Sequence, residues 1–399
     1  MQGLVRGGGA RDLRVDFFRG LALWFIFIDH VPGNRLGDLT LRNIAFCDAT
    51  EAFVLLAGYA AGMAYGATLE RRGWLFGAAA LLRRAGTLYV AHIFLFVVFA
   101  AQVGYSAAIL DSPAYLDELH LDPFREQPYH ALLQALLLRY QPAFLDILPL
   151  YIALLVLLIP ALPLLRRPAL LLGLSGVIYG LARSFDLNLP NWIDGVWFFN
   201  PFGWQLLFLI GCVLGHAPPG PGGRRGPAPV VPFRQDLAAG AVAVLLLGAA
   251  AMLVTHSAED WLALAPEGLT LMLAGIDKGA LHPVRLLSIL ALAYLLGHAV
   301  PREAAWLRGR AVAPFLVMGQ HGLPVFCAGI FLSFLGRLAL EQSDRGLMQL
   351  AVNLGGLAAL VAVGLVAAWY RQRERGEPAP AAPRGAGLPV AVPSSTTPA

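Results

Sequence analysis

Ten stretches of this chain, at about 15–33, 48–69, 85–108, 143–165, 168–185, 196–215, 237–254, 282–300, 311–335 and 347–370, are apolar over the ~20 residues that a helix needs to cross a bilayer. Runs of that length leave little choice of architecture: the chain reads as an all-α, polytopic membrane protein of about ten transmembrane helices. Composition agrees. With 58% hydrophobic and only 14% charged residues and a mean hydropathy of +0.65, the sequence lies outside the range of soluble globular proteins. Pro168 and Arg183 leave the fifth run short, so a re-entrant or merged fourth and fifth segment is the expected departure from this count.

Charge placement tests the count, because an even number of crossings puts both termini on one side. With the N-terminus cytoplasmic, the inner segments collect Arg6, Arg11, Arg14 and Arg19, then Arg71, Arg72, Arg83 and Arg84, then Arg166 and Arg167. Further along they collect Arg224, Arg225, Arg234, Arg302, Arg308, Arg310, Arg371, Arg373, Arg375 and Arg384, while the acids gather on the other side. Such a bias follows the positive-inside rule and predicts cytoplasmic N- and C-termini. The net charge of +4 is then explained by orientation, and no groove-reading motif accompanies it, so no nucleic-acid partner is expected.

The apolar run after Arg19 continues into Asp29 and His30 without a small-residue cleavage site, which predicts a retained first helix, not a signal peptide. Cys47, Cys212 and Cys327 are scattered singly, so neither a disulfide framework nor a metal site is expected. Lys278 is the chain's single lysine among 29 basic residues, a bias that reads as coding preference. The Pro- and Gly-rich stretch 216–235 reads as a cytoplasmic linker between helices six and seven, and 371–399 as a disordered cytoplasmic tail. The longest outer loop, about 109–142, is acidic and then amphipathic in YHALLQALLLRY; it suits either a surface helix acting as a lid or substrate platform, or a solvated connection with one interfacial helix.

Two residues in the first run are ones that a lipid-facing helix would not choose, Arg19 and His30. At ~100° and ~1.5 Å per residue they fall within ~20° of one face and ~16 Å apart along the axis. Ionisable groups at membrane depth cost roughly 2.5–3.5 kcal/mol, so a shared stripe marks a candidate functional site. The plain alternative is an arginine snorkelling to headgroups and a histidine at an already wet helix end. The second run opens with Asp48 and Glu51, three apart on one helical face at the end where His30 emerges. Either acid would fix the tautomer of a basic histidine, or both are solvated N-caps. Gly58, Gly62 and Gly66 form a small-residue stripe that reads as packing.

The segments RDLRVDFFRGLALWFIFIDHVPGN, LTLRNIAFCDATEAFVLLAGYAAGMAYG, FLDILPLYIALL, FNPFGWQLLFLIG and GQHGLPVFCAGIFLSFLG resemble successive blocks of the OpgC-type integral membrane proteins. These in turn are similar to the membrane acyl-CoA-dependent acyltransferases, and the OpgC branch is associated with succinylation of osmoregulated periplasmic glucans. The resemblance implies a membrane acyltransferase domain over 11–370. Its signature of a basic residue and a histidine in the first helix lands on Arg19 and His30, implying that His30 is catalytic and that Arg19 helps hold acyl-CoA. Ala57-Gly58-Tyr59 and Gly322 depart from the pattern, where serines are usual.

The expected chemistry is O-acyl transfer in a bacterial inner membrane, from cytoplasmic succinyl-CoA or acetyl-CoA to a hydroxyl of a glucan or related polysaccharide. His30 would act as general base, in direct attack or through an acyl-histidine. Asp29, Asn34, Asp146, Arg285, Gln320 and His321 are candidate lining residues of the substrate cavity, each also readable as a satisfied bundle contact. Tyr129, Tyr140, Trp192, Trp197 and Trp261 would stack on sugar rings or form an interfacial belt in contact with lipid. A solute transporter or flippase is the alternative, expected to show broken helices and pseudo-symmetric halves. A scaffold for an envelope-polymer synthase would need none of these polar residues.

Overall fold

The computed structural model describes residues 12–217, 231–256, 273 and 275–374. Its long helices are α1 (Leu13–Asp29), α2 (Ala49–Arg72), α3 (Trp74–Ile109), α4 (Ile147–Ala161), α5 (Pro168–Ser184) and α6 (Pro201–Gly215). They continue with α7 (Gln235–His256), α8 (Pro283–Ala299), α9 (Ala313–Gln320), α10 (Gly322–Gln342) and α11 (Gly346–Glu374). Nearly everything described is helical; the one sheet among the described residues pairs Pro190–Asn191 with Gly195–Val196. Among the described residues, six helices are long and apolar enough to cross a membrane: α2, α3, α4 with its extension to Arg166, α7, α10 and α11. Helices α5, α6 and α8 are apolar but shorter. Residues 218–230, Trp261 and the chain beyond Glu374 lie outside the described residues, so most of the expected linker and the tail do too.

The fourth and fifth runs are separate helices. A 3₁₀ turn, Leu162–Arg166, ends α4, and Pro168 opens α5, where its missing N–H costs nothing. Helix α3 starts well before residue 85, because Arg83 and Arg84 interrupt the apolar run without interrupting helix formation. Gly73, at φ 85°, makes the corner between α2 and α3, a left-handed conformation that suits a residue without Cβ. The ninth run is broken. His321, at φ −122° and ψ 41°, separates α9 from α10, and the pyrrolidine of Pro324 explains the break because it crowds the Gln320 carbonyl one turn back.

Close backbone contact holds the bundle together. A Cβ on Gly58 or Gly62 of α2 would collide with the carbonyl oxygens of Phe208 or Cys212 on α6, and one on Gly211 or Gly215 would strike those of Leu55 or Tyr59. The glycine stripe therefore meets a second one. Helix α1 meets α9 in the same way, with Gly20 against the Phe315 carbonyl and Gly319 against that of Asp16. Without a strong hydrophobic drive between helices in lipid, such backbone approach is a main source of association.

On the side where α1 ends and α2 begins, Pro128–Leu136 forms the amphipathic helix expected in the long loop. Ala131 and Ala135 are buried, whereas Leu132, Leu133 and Leu136 stay exposed. Arg337 of α10 anchors the start of this loop, over the Tyr115 ring at 4.9 Å and 2.5 Å from Glu118.

Candidate active site

His30 caps the C-terminus of α1, its backbone N–H donating to Ile26 and Phe27. Its ring turns back so that Nδ1 lies 2.6 Å from the Ile26 carbonyl oxygen. A carbonyl only accepts, so Nδ1 carries the proton and Nε2 is the basic nitrogen. The ring sits edge-on to Phe144, 4.6 Å between centres, in the loop leading into α4. The Ile26 carbonyl therefore fixes the tautomer that Asp48 or Glu51 was expected to fix.

Those two acids do cap α2. Asp48 accepts from the Thr50 N–H at 2.7 Å, and Glu51 accepts from the Asp48 N–H at 2.9 Å, a reciprocal capping box. They are not solvated, however: Asp48 is 6% exposed and Glu51 0%. Buried carboxylates need cations, and these come from far along the chain. Arg285 of α8 donates from Nε to Glu51 at 2.7 Å and from Nη2 to Asp48 at 3.1 Å. Lys278 puts its ammonium 2.6 Å from the same Asp48 oxygen and 5.6 Å from the centre of the Phe199 ring. Two acids and two cations thus balance.

Around this quartet lie Asp29, His30 and Asp146, all close enough to feel the Lys278 charge. Asp29 accepts from the Thr40 hydroxyl at 2.6 Å, and its carbonyl receives Arg42 at 3.5 Å, which ties down the α1–α2 loop. Asp146 stands at the N-terminus of α4. Lys278 and Arg42 belong to this site and escaped the sequence reading. The available signal was the isolation of one lysine in an arginine-rich chain.

Arg19 lies inside the N-terminal half of α1, away from the end that His30 caps. Its Nη2 donates to the Leu56 carbonyl of α2 at 3.1 Å, and its stem rests where α10 begins, 3.5 Å from where a Cβ on Gly322 would stand. Buried Asp16 accepts from Gln320 at 3.3 Å, so Gln320 and His321 sit at the helix break beside Arg19, not beside His30. Arg19 bonds α2 directly and His30 lies within electrostatic reach of its capping Asp48, so the two ends of the predicted stripe engage one helix.

Asn34 belongs to neither cluster. It exchanges amide hydrogen bonds with Asn353 of α11 at 3.0 and 2.9 Å. Tyr140 and Trp197 are buried, Tyr140 donating to the His120 carbonyl, so neither offers an open face to a sugar; Tyr129 is 90% exposed. Trp192 packs edge-on against His130 and Tyr140. Among the described residues, no group of three or more His, Cys, Asp or Glu side chains is placed to hold a metal ion.

Taken together, the apolar helices and the buried charges at their ends define a helical membrane protein with a cluster of buried charges where α2 begins. Residues 11–372 match the family model of the OpgC protein, and the chain belongs to that family. Membership points to an acyltransferase role. No curated protein and no solved structure matches the chain.

Proposed function

We propose that the protein transfers an acyl group, succinyl foremost, from acyl-CoA to hydroxyls of a periplasmic glucan or related polysaccharide. Ten crossings of the bacterial inner membrane with both termini cytoplasmic would put the arginine-rich ends of α1, α2 and α3 on the side where acyl-CoA is made. Arg19 would hold an anionic group of the donor while the thioester reaches toward His30. The Nε2 of His30 would take the proton of the acceptor hydroxyl, and that oxygen would attack the thioester carbon. The observation that carries this reading is the Nδ1 contact with the Ile26 carbonyl, which leaves a neutral, basic nitrogen at a buried charged site.

Mass spectrometry of envelope glycans from cells with wild-type protein, with His30→Ala and with none tests it. A single ester mass present only with wild type is expected; its persistence with His30→Ala would reject the assignment. The broken helix at His321 favours a second reading, a solute transporter or flippase, since discontinuous helices beside an intramembrane charge recur at transport sites. That reading expects unmodified glycans in all three strains and altered export of an envelope component.

A further inference from the structure

Charge balance explains why Asp48 and Glu51 need two cations, but not why one of them is the chain's single lysine. Arginine stands at every other basic position, and Arg285 alone already bonds both acids. An ammonium differs in being a compact point charge with three donors. Its side chain is also the more open of the pair, 30% exposed against 14% for Arg285.

The segment carrying it is fastened on several sides. The Gly279 carbonyl accepts from the Asn200 N–H and from the Trp204 indole, each at 2.9 Å. Arg183 bonds Asp277 and the Ala280 carbonyl, both at 3.2 Å, and the Tyr179 hydroxyl bonds the Leu281 carbonyl at 2.7 Å. A Cβ on Gly279 would stand 2.7 Å from the Phe198 carbonyl oxygen, so the strap is pressed against the loop before α6. A side chain that only balanced charge would not need such fixing. Preorganised charge beside a reacting carbonyl does, since electrostatic stabilisation is effective when the protein does not reorganise during the reaction.

We propose that Lys278 is a catalytic residue whose ammonium receives the negative charge that develops on the thioester carbonyl oxygen. The inference rests on the acyl-transfer reading. As His30 Nε2 takes the hydroxyl proton, the acceptor oxygen bonds to the carbonyl carbon and the π pair moves onto oxygen, beside Lys278. Collapse re-forms the carbonyl and breaks the C–S bond, and the departing thiolate takes the proton from the imidazolium. Asp48 holds the ammonium in place as a positioning residue.

The test uses full-length protein in detergent, with labelled succinyl-CoA and a glucan acceptor. Lys278→Met is expected to lower kcat by roughly 10²–10³-fold, the cost of losing one oxyanion donor, with both KM values within about twofold. The double variant Lys278→Met/Asp48→Asn restores charge balance, which keeps the test clear of misfolding. Catalysis by the ammonium predicts that the double variant stays as slow as Lys278→Met. A role limited to neutralising Asp48 predicts recovery, and recovery would overturn the proposal. A second readout exploits the single lysine: an amine-selective reagent should modify Lys278 and the N-terminus alone, and a non-hydrolysable thioester analogue should protect Lys278. Undiminished labelling of Lys278 at saturating analogue would also overturn it. Wild-type protein without any transfer would instead remove the parent reading, and this one with it.

Discussion

The loop between α1 and α2 is held on two sides by buried polar contacts of opposite kinds. On one side Asn34, Gln349 and Asn353 form a ladder of neutral amides: the two asparagines bond each other, and Gln349 bonds the Gly33 carbonyl at 2.8 Å and the Arg35 N–H at 3.2 Å. On the other side stand Asp48, Glu51, Lys278 and Arg285, with His30 within electrostatic reach of Lys278 and Asp48 and its Nε2 making no hydrogen bond among the described residues. The ladder spends its polar groups on itself, so nothing in it is left for a substrate. The quartet buries charge at a large desolvation cost and keeps a base and an ammonium partly open. Stability alone would favour the first arrangement everywhere, so the second is the one on which the proposed chemistry draws.

The sharpest way to break this contrast is His30→Ala. Loss of a general base predicts transfer slower by about 10³-fold, within the 10²–10⁴-fold range for such groups, with thermal unfolding close to wild type. A slow but unstable variant would move His30 to the structural side. Glu51→Ala reverses the pattern of effects: it leaves Arg285 buried with one acid fewer, which predicts destabilisation of about 3–5 kcal/mol by unfolding in detergent. An unchanged midpoint would show that the cluster tolerates two cations against one acid and is not charge-constrained.

Arg19→Ala sharpens the contrast between the interior of α1 and the end that His30 caps. Removing a cation that, on the proposed reading, would bond an anionic donor group, worth about 1.5–3 kcal/mol, predicts a KM for acyl-CoA raised by roughly 10–100-fold and an acceptor KM unchanged. Equal shifts in both would count against a donor role. Asn353→Ala tests the ladder. It leaves the Asn34 amide without its partner and should cost about 1–3 kcal/mol of stability while kcat stays within about twofold of wild type.

Features with a short period were readable from the sequence. Helix positions followed from apolar run length, the Arg19–His30 stripe from an eleven-residue spacing, and the shared face of Asp48 and Glu51 at the start of α2 from a three-residue one, whereas their reciprocal capping box appeared only in the structure. What pairs with those acids was not readable, because Arg285 and Lys278 lie far along the chain and reach α2 only through the tertiary fold. The helix break at His321 had a local signal in Pro324, but an apolar run shows no gap at a proline. The glycines of α2 were legible as a packing stripe, whereas their partners Gly211 and Gly215 needed the observed pairing of α2 with α6.

The smallest effect is expected at the rim of the ladder, where Asp344 meets Arg35 at 2.8 Å and Gln349 at 2.7 Å. The Gln349 amide and then the Arg35 guanidinium hold the Asp344 carboxyl below the ordinary aspartate range. A carboxyl depressed in the folded state stabilises above its unfolded value, and that contribution disappears as pH falls through the folded one. Because the pair is open to solvent, with both side chains more than half exposed, screening leaves little of it. Asp344→Asn should therefore leave the unfolding midpoint at pH 7 near wild type and flatten the decline of stability on acidification below the ordinary aspartate range. A large loss at neutral pH, comparable with Asn353→Ala, would mean that the ladder extends to the surface and that its neutral and charged contacts act as one unit.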